Sequence, residues 1–352
     1  MAAPFATARK HAGRITTGFT LLVRRPRELP RNLGLAAQWL WNVKVRRKRL
    51  VLLVREGGLG DLACLLACVP GLRERHPNSW LVVISPPGCW KLVRSSQLAD
   101  ATADQGGFFH RFIEGLCARS SFYRPLLPDE YDPPRPQVLH LADEFARALG
   151  VTYELSRVRF KAPPRVRRRL ARRLREANPR QRPVVVLHPG PTWPVREWPP
   201  HRWSELAELI SAHTSALMVK IGTDFDSTHR LRPFPAIRDA VDWTNQLDVI
   251  ETAALLEQAS ALVGIDSGPL HIAGVLRVPA VGLFGPIFGH LRIHPHARTI
   301  AVSGGVDCLG CHHAPTGHLH WRTGCPNDIA CMQEITAKDV FAAVAYCLET
   351  DA

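Results

Sequence analysis

Two short runs carry residues able to do acid–base and anion chemistry. The first is Arg55-Glu56-Gly57-Gly58-Leu59-Gly60-Asp61-Leu62, which follows an apolar strand and opens an apolar helical stretch. Gly57, Gly58 and Gly60 let a backbone come close to a bound molecule, and Asp61 falls at the helix start. A carboxylate there serves as an N-terminal cap, and at a ligand-facing strand end it is also a candidate general base. The second run is Asp266-Ser267-Gly268-Pro269-Leu270-His271, which the apolar residues 261–263 lead into through Gly264-Ile265. Asp and Ser are capping residue types, and Gly-Pro feeds a first helical turn whose backbone N–H groups attract phosphate. His271, inside that turn, would stand beside whatever anion docks there.

A third cluster is soft rather than acidic. Cys308-x2-Cys311-x13-Cys325-x5-Cys331 gathers four of the nine cysteines, with His312, His313, His318 and His320 in the same stretch. Four thiolates suit tetrahedral zinc or iron in a structural role, because they leave no open position for catalysis; the plain alternative is a set of reduced, half-buried thiols. Cys64 and Cys68, four apart on an apolar helical face, and Cys347 in an amphipathic terminal helix over 337–348, read as packing.

The elements that must position these residues form two β/α series. Residues 49–54 and 80–85 are apolar strands flanking the glycine loop and a helix through 64–72, the opening of a doubly wound domain. The loop lacks the third glycine of a dinucleotide fingerprint. Residues 86–165 show only helical fragments, 108–118 and 138–149, and a proline-rich loop, 123–136. Residues 163–182 predict a basic amphipathic helix with a solvated face at a domain boundary. The second series has strands at 183–188, 216–222, 237–241, 261–263 and 278–284, a loop at 191–200 bearing Trp193, Arg196, Glu197 and Trp198, and an acidic loop Asp224-Phe225-Asp226. The expected organisation is a basic extension (1–48), an N-terminal domain (49–165), a C-terminal domain (180–335) carrying the Cys-rich loop 304–331, and a terminal helix (336–352). Two α/β halves with ligand loops at their strand ends imply a cleft between them.

Hydrophobic residues make up 46% of the 352, enough for two cores, and the net charge of +14 calls for an anionic partner. No run approaches the ~18 apolar residues of a membrane-spanning helix, and no export signal is legible at the start, so the cysteines point to a reducing, cytoplasmic setting. Residues 1–49 are basic with leucine and tryptophan insertions, the composition of a segment resting on an anionic membrane face or of a solvated extension. Nucleic-acid binding is disfavoured, since the arginine blocks lack interleaved stacking aromatics.

Together, Gly60-Asp61-Leu62, His188-Pro189-Gly190 with Arg196-Glu197-Trp198-Pro199, Asp266 through Ala273, Leu283-Phe284-Gly285-Pro286, and Cys331-Met332 followed by Ile335 resemble the heptosyltransferase-type glycosyltransferases of family 9 over residues 49–348. The resemblance implies an α/β fold of GT-B type, with two facing Rossmann-like domains around a central cleft. It implies inverting transfer from ADP-heptose, with no cofactor for catalysis, to a lipid-linked lipopolysaccharide-core acceptor at the cytoplasmic membrane face. Asp61 would deprotonate the acceptor hydroxyl. Arg196 stands where the family usually has lysine, near the donor phosphates, and Asp266, Ser267, Gly268 and His271 would hold the diphosphate and sugar. Asp226, or its neighbour Asp224, would contact the ribose. Some similar proteins carry a comparable cysteine-rich segment, and certain autotransporter heptosyltransferases hold iron there. The rival readings are another nucleotide-sugar donor, a protein acceptor, a non-catalytic GT-B scaffold and a basic nucleic-acid-binding protein.

Overall fold

The computed structural model describes residues 29–55, 57–116, 121–131, 135–225, 230–234, 236–295, 297–313 and 324–349. Two parallel sheets organise them. The first holds β1 (Arg49–Val54), β2 (Ser79–Ser85), β3 (Ala101–Asp104) and β4 (Ser121–Tyr123) in the order β3-β2-β1-β4. The second holds β5 (Val184–His188), β6 (Leu217–Lys220), β7 (Ala240–Asp242), β8 (Ala261–Ile265), β9 (Ala280–Phe284) and β10 (Thr299–Ser303) in the order β10-β9-β8-β5-β6-β7. All named pairings are parallel, so each connection is a crossover, and helices cover both faces.

The central strands β1, β2, β5, β6, β8 and β9 are apolar over most of their length because both faces are buried, and their period-two alternation sorts residues between cores. In β1, Val51 and Leu53 join the inner core while Leu50, Leu52 and Val54 face the outer one. In β5, Val184 and Val186 point inward while Val185 and Leu187 pack under the outer helices. The inner core is continuous between the two sheets. It takes in α2 (Leu59–Ala67), α6 (Leu141–Leu149), α7 (Pro164–Ala177), α9 (Val249–Leu256) and α10 (Gly268–Leu276). On the outside of the second sheet lie α8 (Pro200–His213), whose Trp203, Leu206, Ala207 and Ile210 form a helical stripe, and α12 (Ala337–Glu349).

Both sheets reverse strand order once, between β1 and β4 and between β5 and β8. At such switch points the outgoing loops diverge and leave a crevice at the carboxyl edge. Asp61 follows β1, Arg196 follows β5 and Asp266 follows β8, so all three fall at switch points. The helices after these strands bring the edges together. Gly60 in α2 lies against His271 in α10, and Gly268 in α10 lies against Leu59 in α2. A second bridge joins α4 (Trp90–Ser96) to α9 through the ion pair of Lys91 with Asp248.

The strands β3 and β4, unread in the sequence, have only four and three residues. The 138–149 stretch becomes helical at Leu141, with His140 as its cap accepting the Ala142 N–H at 3.2 Å. The basic segment is partly structured: α1 (Leu29–Trp39) and a wide turn, Leu40–Val45, pack Leu35, Trp39 and Val43 onto the first domain. Arg31 fixes α1 by bonding Asp104 at 2.9 Å and stacking over Trp90. Residues 1–28 lie outside the described residues.

Candidate active site

Asp61 is set by the turn after β1. Gly58 caps α2, and Asp61, three residues on, accepts the Gly58 N–H at 3.1 Å on Oδ2, the return half of a capping box. The same oxygen accepts from the Arg55 guanidinium at 3.2 Å, and Arg55 also donates to Glu130 at 3.0 Å while lying over the Phe145 ring. Burial alone would lower the Arg55 pKa, but the two carboxylates raise it, so the cation persists beneath the loop. Asp61 Oδ1 meets a second guanidinium, Arg292, at 3.7 Å.

The glycines of this loop have separate reasons. A Cβ on Gly57 would stand 1.9 Å from Asp61 Oδ2, and one on Gly60 would stand 2.4 Å from the His271 ring. A Cβ on Gly58 meets nothing within 4 Å. Close approach is therefore demanded at two of the three positions, by the protein's own side chains.

On the other side, Asp266 is 4% exposed. Its Oδ1 lies 3.2 Å from His271 Nε2 and its Oδ2 3.3 Å from Arg196 Nη1. Burial pushes the carboxyl up, but Arg196, the His271 bond and Arg292 outweigh it and hold the group well below the usual carboxylate range. Arg196 is delivered by a loop that Glu197 ties down. The Glu197 carboxylate accepts two bonds from Arg232, at 2.6 and 2.9 Å, and one from the Thr192 N–H at 2.9 Å.

The expected capping role of Ser267 is corrected. Ser267 occupies the cap position of α10 without a side-chain cap bond. Its hydroxyl instead lies 2.9 Å from His188 Nδ1 and donates to the Ile265 carbonyl at 3.2 Å. Nor does the Asp266 carboxylate cap the helix, being committed to Arg196 and His271. The first turn of α10, with Gly268 in it, thus starts without a side-chain acceptor, which suits an incoming anion. His188, quoted only as part of a motif, lies fully buried below this turn, and burial lowers its pKa to about 4, keeping the imidazole neutral. Asp226 lies outside the described residues. Its neighbour Asp224 exchanges two bonds with the Asn245 amide, at 2.7 and 2.9 Å.

The structure thus brings Asp61, Arg196, Asp266, Ser267, Gly268 and His271 to one junction between the sheets. Sequence reasoning missed Arg55 and Arg292. Arg55 ends the first strand, where a charged residue directly before a glycine loop is a usable signal. For Arg292 the sequence carries none.

The cysteines lie apart from this junction. Cys64, Cys68 and Cys347 are core residues, as read. Cys308, Cys311 and Cys325 are half-buried and Cys331 is buried. Burial pushes the Cys331 thiol up to about 11, and Cys311, Cys308 and Cys325 push it the same way. Among the described residues, no group of three or more His, Cys, Asp or Glu side chains is arranged to hold a metal ion. His318 and His320 fall outside the described residues.

Two parallel-sheet domains that meet edge to edge at their switch points define the GT-B class. The model of glycosyltransferase family 9 (heptosyltransferase) matches residues 116–317, more than half the chain, and the chain belongs to that family. Lipopolysaccharide heptosyltransferase 1 of Pseudomonas aeruginosa is 32% identical over 128 residues, 34% of this chain and 36% of that protein. The chain thus spans about a third of the length of the curated relatives it matches. The fold is that of the ADP-heptose lipopolysaccharide heptosyltransferase II of Escherichia coli (TM-score 0.59, 14% identity, 86% of this chain and 99% of that one). It is shared by TibC of enterotoxigenic Escherichia coli H10407, an iron-containing dodecameric glycosyltransferase (TM-score 0.62, 18% identity, 87% and 77%).

Proposed function

We propose that this chain is an inverting glycosyltransferase that moves heptose from ADP-heptose to a lipopolysaccharide-core-type acceptor. The observation that carries the reading is the carboxylate of Asp61, on one domain, set at the junction where the other domain presents the α10 N-terminus with Arg196, Asp266 and His271. In a single displacement Asp61 takes the acceptor hydroxyl proton as that oxygen bonds to the anomeric carbon. The bond from that carbon to the diphosphate breaks on the opposite face, which inverts the centre. The leaving diphosphate keeps the electron pair, and Arg196 and the N–H groups of α10 offset its charge without a metal.

Calorimetric titration with ADP-heptose, ADP-glucose, UDP-glucose and GDP-mannose tests the donor. Selective binding of ADP-heptose is expected, and Arg196→Ala should weaken it about 10- to 100-fold, the worth of a charge-assisted bond. Binding of a different nucleotide sugar would discard the heptosyl assignment, and binding of none would favour a scaffold.

The working place is the anionic inner face of the cytoplasmic membrane. No helix among the described residues is long and apolar enough to cross a membrane. Leu33, Leu40, Trp41 and Val45 form a stripe on the outer side of α1 and its following turn, each more than half exposed. Lys44, Arg46, Arg47 and Lys48 adjoin it, and residues 29–55 contain no acidic side chain. Apolar residues beside cations match an anionic phospholipid surface. Sedimentation with phosphatidylglycerol vesicles should pull down the protein and leave behind the variant with all four stripe residues changed to Ser. Equal sedimentation of the two would remove this face from the reading.

Cys308, Cys311, Cys325 and Cys331 supply a thiolate set suited to a structural zinc or iron ion, drawn together on loading. Elemental analysis should find near-stoichiometric metal that Cys308→Ser lacks; metal-free native protein would end the idea.

A further inference from the structure

The segment between β9 and β10 crosses to the other domain and is held there at four successive residues. Gln137 Nε2 donates to the Leu291 carbonyl at 3.4 Å, and His140 Nε2 lies 3.0 Å from the Ile293 carbonyl. His294 Nε2 lies 3.2 Å from the Leu155 carbonyl. Between them, Arg292 places Nη1 3.7 Å from Asp61 Oδ1. Its side chain is 7% exposed, and its buried Nε has no hydrogen-bond partner among the described residues. The guanidinium also acts on Asp266, lowering its carboxyl, so its charge lies within reach of both carboxylates of the junction.

Resting on the glycosyltransferase reading, we infer that Arg292 is a positioning residue for the base, supplied by the nucleotide-sugar domain to the acceptor domain. Asp61 Oδ2 is occupied by the Gly58 N–H and Arg55, both from its own domain. Oδ1 is the oxygen left to take a proton, and among the described residues it meets only Arg292. At 3.7 Å this contact is an ion pair rather than a tight hydrogen bond, so it orients the oxygen without occupying its lone pairs. A carboxylate with one oxygen anchored and the other steered keeps a single rotamer. The steering charge is present only while the strap of residues 291–294 is docked. Base alignment is thereby tied to the two domains being together, and an acceptor on an undocked domain meets a base with a looser Oδ1.

Two measurements test this, one of them independent of activity. In a double-mutant cycle of Asp61→Asn and Arg292→Met, urea midpoints at neutral pH should shift non-additively, the Arg292→Met shift shrinking when Asp61 is already Asn. In the transfer assay, Arg292→Met should lower kcat about 10- to 100-fold with the nucleotide-sugar KM within about threefold, and Arg292→Lys should recover a large part of kcat by restoring the charge. A purely structural Arg292 would move KM and kcat together in both variants, and Lys would not rescue. Additive midpoints, an unchanged kcat in Arg292→Met, or a raised KM with no Lys rescue would each overturn the inference. Absence of transfer by the wild type with every nucleotide sugar defeats the functional reading, while the midpoint cycle still decides whether Arg292 grips Asp61.

Discussion

Replacing Asp61 with asparagine is expected to lower turnover by two or more orders of magnitude and to leave donor affinity within about threefold. Asparagine has nearly the same shape, and its amide oxygen can still accept from the Gly58 N–H and from Arg55, the two donors now on Oδ2. The change removes a proton acceptor rather than a piece of scaffold. The donor contacts lie on the other domain, where Arg196, Asp266 and His271 do not touch Asp61 directly. One cost is foreseeable: buried Arg55 keeps Glu130 as its sole full negative partner among the described residues, so a modest loss of stability accompanies the loss of rate. Steady-state kinetics and calorimetric titration of the same preparation check both halves. Donor affinity collapsing together with turnover would make Asp61 a donor ligand and leave the base unassigned.

The parts of the fold that the sequence discloses are those whose burial is local. β1, β5, β8 and β9 are unbroken apolar runs between turn residues, because both sheet faces are covered. β3 and β4 are too short to show a pattern, and β4 even leaves Phe122 exposed; only pairing with β2 and β1 makes them strands. Asp61 and the Asp266–His271 stretch were legible because each opens a helix directly after a strand, and Arg196 because its loop carries distinctive neighbours, Trp193, Glu197 and Trp198. The glycines were legible in position, and two of them have a cause that the sequence does not display: a side chain is excluded at Gly57 by Asp61 and Arg55 and at Gly60 by His271, and both exclusions exist only in the folded chain. Arg292 was invisible for the same reason. An arginine in a histidine- and proline-bearing loop reads as solvated, and its burial follows from the strap docking on Gln137, His140 and Leu155. The misread role of Ser267 is local competition: His188 and the Ile265 carbonyl engage the hydroxyl that would otherwise cap the helix.

Asp266 is where stability and function are most tightly joined. Converting it to alanine leaves Arg196 and His271 facing each other without the carboxylate between them, and removing one member of a buried ion cluster costs about 3–5 kcal/mol. The same residue sets a pH dependence whose sign follows from its shift. The folded-state pKa is depressed, because Arg196 and His271 outweigh burial. Its stabilisation is therefore fully present above the unfolded carboxylate value of about 3.9 and is lost as pH falls through the lower folded value. Urea denaturation from pH 7 down to 3 should show the wild type weakening steeply below about pH 4, with Asp266→Asn less stable at pH 7 and flatter at the acid end. Donor binding at pH 7 should be weaker in Asp266→Asn than in the wild type, since Arg196 loses its charged anchor next to the α10 N-terminus. If the acid limb has the same slope in both proteins, the carboxylate does not hold the cluster, and Arg196 must be positioned by the Glu197–Arg232 loop alone.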